Sequence, residues 1–255
     1  MSILIALDAG HGLKTAGKQT PDGIKEWELN DKVRDKVTEI LKNYQCEIIH
    51  TDNNEGITDE SLAERYRKYM NSGADVFVSI HHNAFKSNWS TATGVEVYTD
   101  KNPTEGDVRL ANLIYGRMVK YIGLKGRGIK KADFYVINQN RIPAVLCEGG
   151  FMDGKNDYKI ITSEQGQNAY AKAVAEGIIE YMSLNKKTVV EDIYYHKFSG
   201  NTASIVDALK QLNIDSSFGN RRKIANANGI KLYLGTASQN IALLNLLKNG
   251  KLRRV

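Results

Sequence analysis

Cysteine is nearly absent from this chain. Cys46 and Cys147 are the only two in 255 residues, and each falls in an apolar stretch that reads as a buried strand. A disulfide framework is therefore excluded, and reduced core thiols are expected. Long apolar runs are missing too. No stretch approaches the roughly 20 apolar residues needed to cross a bilayer, so membrane insertion is not expected. The first residues, Met1 to Asp8, are apolar but short and carry no basic leader. They read as a first strand and not as a signal peptide, which implies synthesis in the cytoplasm and action elsewhere only after release. No recognised nucleic-acid-binding motif accompanies the positive charge, so a nucleic-acid partner is not expected.

What is present is an uneven charge. The net charge is +6. Residues 194–255 hold ten Lys/Arg against two acids (+8), and the remainder holds 25 bases against 27 acids (−2). A nearly neutral body with a basic tail points to a polyanionic partner for the tail.

Residues 1–183 alternate strand and helix signals. Ile3 to Leu7 is an unbroken apolar run, as in a strand buried on both faces. Leu29, Val33, Val37, Ile40 and Leu41 follow helical spacing. Further strands are expected at Cys46–His50, Asp75–Ile80, Gly94–Thr99, Phe134–Ile137 and Ala144–Cys147. Further helices are expected from Thr58 through Met70, around Leu110 to Tyr121, and from the cap Ser163 to about Met182. This is the pattern of an α/β domain, a mostly parallel sheet flanked by helices. Residues 184–193 lose the pattern and read as a linker. Residues 194–255 read as a small, mainly helical domain with two related segments, one from Gly200 and one from Gly235, and a helix between them from Phe218 to Asn228.

Three polar clusters follow strand ends: Asp8-Ala-Gly-His-Gly12, Ser79-Ile-His-His-Asn-Ala84 and Cys147-Glu-Gly-Gly-Phe-Met152. In an open α/β sheet ligands bind outside the carboxyl ends of parallel strands, so the three clusters are able to converge. His11 and His81 stand at two such ends, and Glu26 opens the first helix near the same edge. Two imidazoles and a carboxylate suffice for zinc with an open fourth position, where a water would become acidic. Glu148 is then placed to take that water's proton and hand it to a departing amine. His82, beside His81, points to the opposite face of a regular strand. His50 and His196 stand outside these sequence clusters and read as structural or surface residues.

These residues resemble the zinc-dependent N-acetylmuramoyl-L-alanine amidases of the cell-wall hydrolase and phage endolysin type. Asp8-Ala-Gly-His-Gly12, Glu26-Trp-Glu-Leu-Asn30, Leu62-Ala-Glu-Arg65, Asn71 to Asn83, Gly94-Val-Glu-Val-Tyr98, Arg127-Gly-Ile-Lys130 and Pro143 to Asp153 follow in the family's order over residues 3 to 182. The resemblance implies zinc held by His11, Glu26 and His81, with Glu148 catalytic. The reaction it implies is hydrolysis of the amide between the lactyl group of N-acetylmuramic acid and L-alanine in peptidoglycan. Asp8 is a candidate to buttress a ligating imidazole, and Asn83 to orient His81 or touch substrate. Arg65 and Arg127 read as ion-pair partners within the fold. Two positions depart from the family: His82 stands where a small residue is frequent, and Gly149 where a hydroxyl residue follows the glutamate. The tail resembles the C-terminal segments of some Gram-positive amidases and phage lysins, which implies binding to an anionic wall polymer. Dimerisation through the tail stays open. The alternatives are a zinc peptidase of the wall stem peptide and a non-catalytic wall-binding protein.

Overall fold

The structure, a computed structural model, describes residues 2–138, 141–187 and 193–255. The chain divides into two compact units, residues 1–187 and 188–255. Half of the linker expected over 184–193, residues 188–192, lies outside the described residues. Its first part belongs to the first unit: Leu184 is buried in that unit's core, and the Gln45 and Lys187 amides donate to the Asn185 and Asn43 carbonyls.

The first unit runs β1 (Ile3–Ala9), α1 (Glu26–Leu41), β2 (Cys46–His50), α2 (Leu62–Ser72), β3 (Val76–Asn83), β4 (Val95–Asp100), α3 (Glu105–Ile122), β5 (Gly126–Ala132), β6 (Ala144–Phe151), α4 (Lys155–Ile161) and α5 (Glu164–Met182). The six strands form one sheet in the order β2-β1-β3-β6-β4-β5. β2, β1, β3 and β6 are mutually parallel; β4 pairs antiparallel with β6 and parallel with β5.

Strand alternation sorts the core into two layers. Ile5, Leu7, Val76, Val78 and Ile80 face one side, where Val33, Val37 and Leu41 of α1 join Ala171, Val174 and Ile178 of α5. Each fully buried aliphatic side chain here contributes about 1.5–3 kcal/mol. Ala6 and Phe77 face the other side, under α2, where Tyr69 stacks on Phe77 with centroids 4.3 Å apart. Hydroxyl caps start the helices: Ser61 for α2, Thr104 for α3 and Ser163 for α5 accept from the third helical amide. The second helix therefore begins at Leu62 and not at Thr58.

Phe134–Ile137 is not a strand. Gly126–Ala132 takes the sheet edge instead, and the 133–137 segment is irregular. Val136 and Ile137 owe their apolar character to packing beside Tyr69, whose hydroxyl donates to the Val136 carbonyl. Cys46 is half-buried at the start of β2 and not in the core, whereas Cys147 is buried; both are free thiols.

The second unit contains α6 (Ile205–Gln211), α7 (Phe218–Ala227) and α8 (Ala237–Lys248), capped by Ser204, Ser217 and Thr236. Phe198, Leu209, Ile224, Tyr233, Leu243, Leu247 and Leu252 form its own core. An antiparallel bridge between Tyr194 and Arg253 ties its two ends. No helix among the described residues is long and apolar enough to cross a membrane.

Candidate metal centre

β1, β3 and β6 are neighbours, so the clusters at their carboxyl ends share one rim, with β3 and β6 running on through His81 and Glu148 to Asn83 and Phe151. His81 and Glu148 are register partners on β3 and β6. His11 follows β1, and Glu26 is the first residue of α1, where a carboxylate is favoured by the helix dipole. The glutamate lies between the imidazoles: His11 Nε2 is 3.3 Å from its Oε2, and His81 Nδ1 is 3.1 Å from its Oε1. One ligand atom from each of the three residues lies within 4.8 Å of the others. Tetrahedral coordination with bonds of about 2.0–2.1 Å separates neighbouring ligand atoms by roughly 3.3 Å. The donor set and its spacing therefore fit a zinc-sized cation, and a hollow of about 180 Å³ opens beside His11 and His81.

Electrostatics suit each group to that arrangement. Burial alone would raise the Glu26 carboxyl, but the hydrogen bond and charge of His81, then His11, hold it well below the usual carboxylate range. Burial pushes His11 down to about 4, with His81 adding to the effect and Glu26 opposing it, so the ring is neutral and its lone pair is available to a metal at neutral pH. Glu148 goes the other way. Burial, then the charges of Glu26 and Glu96, raise its carboxyl well above the ordinary value. Its enclosed Oε2 has no hydrogen-bond partner among the described residues, the signature of an acid held for use and not for packing.

The His11 backbone sits at φ 68°, a conformation that side-chain-bearing residues seldom adopt. Arg65 holds it there. Its guanidinium is buried, donating to the Ala9 carbonyl at 2.8 Å, the His11 carbonyl at 2.7 Å and Asp8 Oδ1 at 2.6 Å. The buttress expected of Asp8 is thus indirect. Its carboxylate accepts from Arg65, Thr51 and Ser79, and these offset burial to keep it ionised. Asn83 does not orient His81 either: its amide nitrogen donates to Glu96 and its oxygen accepts from the Ala84 amide. Arg127 does pair within the fold, with Glu96 at 2.8 Å.

Gly10 is required by close approach. A Cβ on it would stand 2.0 Å from His81 Cε1. Gly10→Ala should therefore displace the His81 ring and weaken metal binding about 10–100-fold, measured by competition with a chelating dye. Unchanged affinity would mean that the ring has room to move.

His82 is fully buried, with Nδ1 2.8 Å from Asn30 Oδ1 and its ring edge-on to Tyr170. It stands apart from the three grouped donors. Gly149, like His82, packs against this tyrosine. A Cβ at Gly149 would lie 2.2 Å from the Tyr170 ring, and the Tyr170 hydroxyl contacts the Cys147 carbonyl at 2.8 Å and the His81 carbonyl at 3.3 Å. Burial lowers His82 to about 4. Because that lies below the unfolded value of about 6.5, the unfolded chain takes up the proton first. This contribution is complete above about pH 6.5 and is lost as pH falls towards 4. His82 by itself should contribute a loss on the order of 3 kcal/mol across that window in the metal-free protein, and His82→Gln should remove that part of the slope. Urea midpoints that do not move between pH 7 and 4.5 would contradict this.

Asn30, Arg65, Glu96 and Tyr170 carry the site's support, and of these only Arg65 was given a role from the sequence. Their roles rest on contacts across 13 to 89 positions, which no local pattern records.

Residues 5–180 match the family described as N-acetylmuramoyl-L-alanine amidase. The chain is 37% identical over 191 residues to the endolysin of Bacillus phage SPP1, covering 74% of this chain and 69% of that one. It is 32% identical over 179 residues to the N-acetylmuramoyl-L-alanine amidase LytC of Bacillus subtilis, covering 69% of this chain and 35% of LytC. Among solved structures, the catalytic domain of the amidase CwlV from Bacillus (Paenibacillus) polymyxa var. colistinus superposes with a TM-score of 0.66 at 31% identity, covering 72% of this chain and 99% of that one. An N-acetylmuramoyl-L-alanine amidase from Clostridium difficile 630 gives 0.67 at 29%, covering 71% and 97%.

Proposed function

The chain belongs to the N-acetylmuramoyl-L-alanine amidase family, and from that premise we propose that it cleaves the lactyl–L-alanine amide of peptidoglycan with His11, Glu26 and His81 holding zinc and Glu148 moving the proton. The carrying observation is the meeting of those three donors beside a carboxyl group whose Oε2 has no other partner. A zinc ion held there supplies Lewis acidity for the substrate carbonyl and for an attacking water.

The chain's own residues do the rest. Bound through their ring lone pairs, the two imidazoles with the Glu26 carboxylate would give a donor set of net charge −1, which suits a divalent cation. Glu148, opposite His81 in the sheet, takes a proton from water at Oε2 and returns it to the leaving nitrogen. Its raised pKa suits that task, since a carboxyl pushed up by burial and by the charges of Glu26 and Glu96 takes up a proton more readily than an ordinary one. Arg65 and Asp8 keep the His11 turn in place, so the donor geometry is set before substrate arrives.

The basic second unit fits an anionic wall polymer, and tethering it to the catalytic unit would raise the local enzyme concentration. The reading is of a lytic enzyme that reaches the wall after release, as a phage endolysin or a sporulation autolysin does. Digestion of purified walls tests the activity. New N-terminal L-alanine without new reducing ends is the expected product; other new N-termini would instead indicate a stem peptidase.

A further inference from the structure

A second hollow shares the rim with the metal centre. The direction of β4 places it there. Because β4 and β5 run opposite to β6, their amino ends meet the carboxyl ends of β3 and β6. Arg127, near the start of β5, thus comes level with Phe151 at the end of β6, three residues past Glu148. Together with Phe85, Lys86 and the 90–92 segment they line a hollow of about 340 Å³.

The walls are built. Buried Asp153 accepts from the Phe85 and Lys86 amides at 2.8 and 3.3 Å, which fixes the turn that follows β3. Arg127 lies 4.9 Å over the Phe151 ring, and its Nε is held by buried Glu96. Glu96 Oε2 is shared by Arg127 and Lys130, so one carboxylate faces two cations and positive charge is left over. Lys86 is exposed and has no ion-pair partner among the described residues, and Phe85 is 72% exposed. The lining thus carries two cations and no carboxylate. The hollow beside His11 is of opposite character, with Asp8, Asp59 and Glu60 against Arg65.

The substrate has a matching asymmetry. The lactyl carboxyl is consumed in the scissile amide, so the sugar side is uncharged there. The peptide that leaves as the amine ends in a carboxylate. We propose that the hollow formed by Phe85, Lys86, Arg127 and Phe151 receives the anionic stem peptide, which sets the direction in which peptidoglycan crosses the site. Lys86 and Arg127 attract its carboxylates, and the exposed Phe85 ring covers its apolar part. This rests on the amidase reading and adds the substrate's orientation and charge preference.

The test uses the full chain and two soluble muramyl peptides that differ only in whether the stem ends in carboxylate or carboxamide. Wild type should show kcat/KM about tenfold higher for the carboxylate at low salt, a preference that shrinks as salt rises. Lys86→Gln should reduce the ratio, and Lys86→Glu should bring it to one or below. Equal rates on both substrates in wild type, or a ratio that Lys86→Glu leaves unchanged, overturns the proposal while the amidase reading stands. Cleavage of neither substrate overturns both.

Discussion

Glu148→Gln is expected to slow release of N-terminal alanine from cell walls by about 10²–10⁴-fold, with metal content unchanged. The amide keeps the shape of the carboxyl but cannot exchange a proton. The variant should not lose stability, because the native group is an acid beside Glu26 and Glu96 whose Oε2 lacks a partner, a placement that costs stability. A neutral amide relieves that repulsion. Rate, metal content and melting temperature from one preparation separate these effects. A metal-loaded variant that lyses walls at the wild-type rate would remove Glu148 from the mechanism.

His11→Ala should have the opposite signature. Wild type is expected to carry one zinc per chain, and the variant none after dialysis. Two donors remain where a catalytic zinc site uses three. Activity should fall about 10³-fold, since Lewis acidity supplies several kcal/mol. Chelation should reproduce the loss in wild type, and added zinc should restore wild type but not the variant. Elemental analysis with a lysis assay checks both halves. A variant that keeps stoichiometric zinc would show that His11 is not a ligand.

The parts of this molecule visible in the sequence are those with local causes. Ile5 to Leu7 and Val76 to Ile80 announce central strands because both of their faces are buried. The α5 boundaries follow from Ser163 and the αL residue Ser183. His11, His81 and Glu148 could be singled out because His11 follows a strand, and His81 and Glu148 lie late in two others, whose carboxyl ends face the same rim. The edge strand Gly126–Ala132 was hidden because it is half-exposed and rich in Gly, Lys and Arg, as an edge tends to be, while Val136 and Ile137 looked like a strand although they pack in a loop. The reversal of β4 has no sequence signal, since an apolar strand reads alike in either direction. α4, seven residues long, was too short to show a period.

The contact of Tyr170 with Gly149 and His82 constrains how this sequence can drift. A hydroxyl residue at 149 cannot enter while the tyrosine ring occupies that space. Trimming Tyr170 first would open a void under His82 and strip a donor from two strand carbonyls. Neither single step is neutral, so the three positions form one epistatic block. Exchange for a different arrangement must be concerted, and introducing a hydroxyl residue at 149 alone would report the incompatibility of the background and not the value of the hydroxyl.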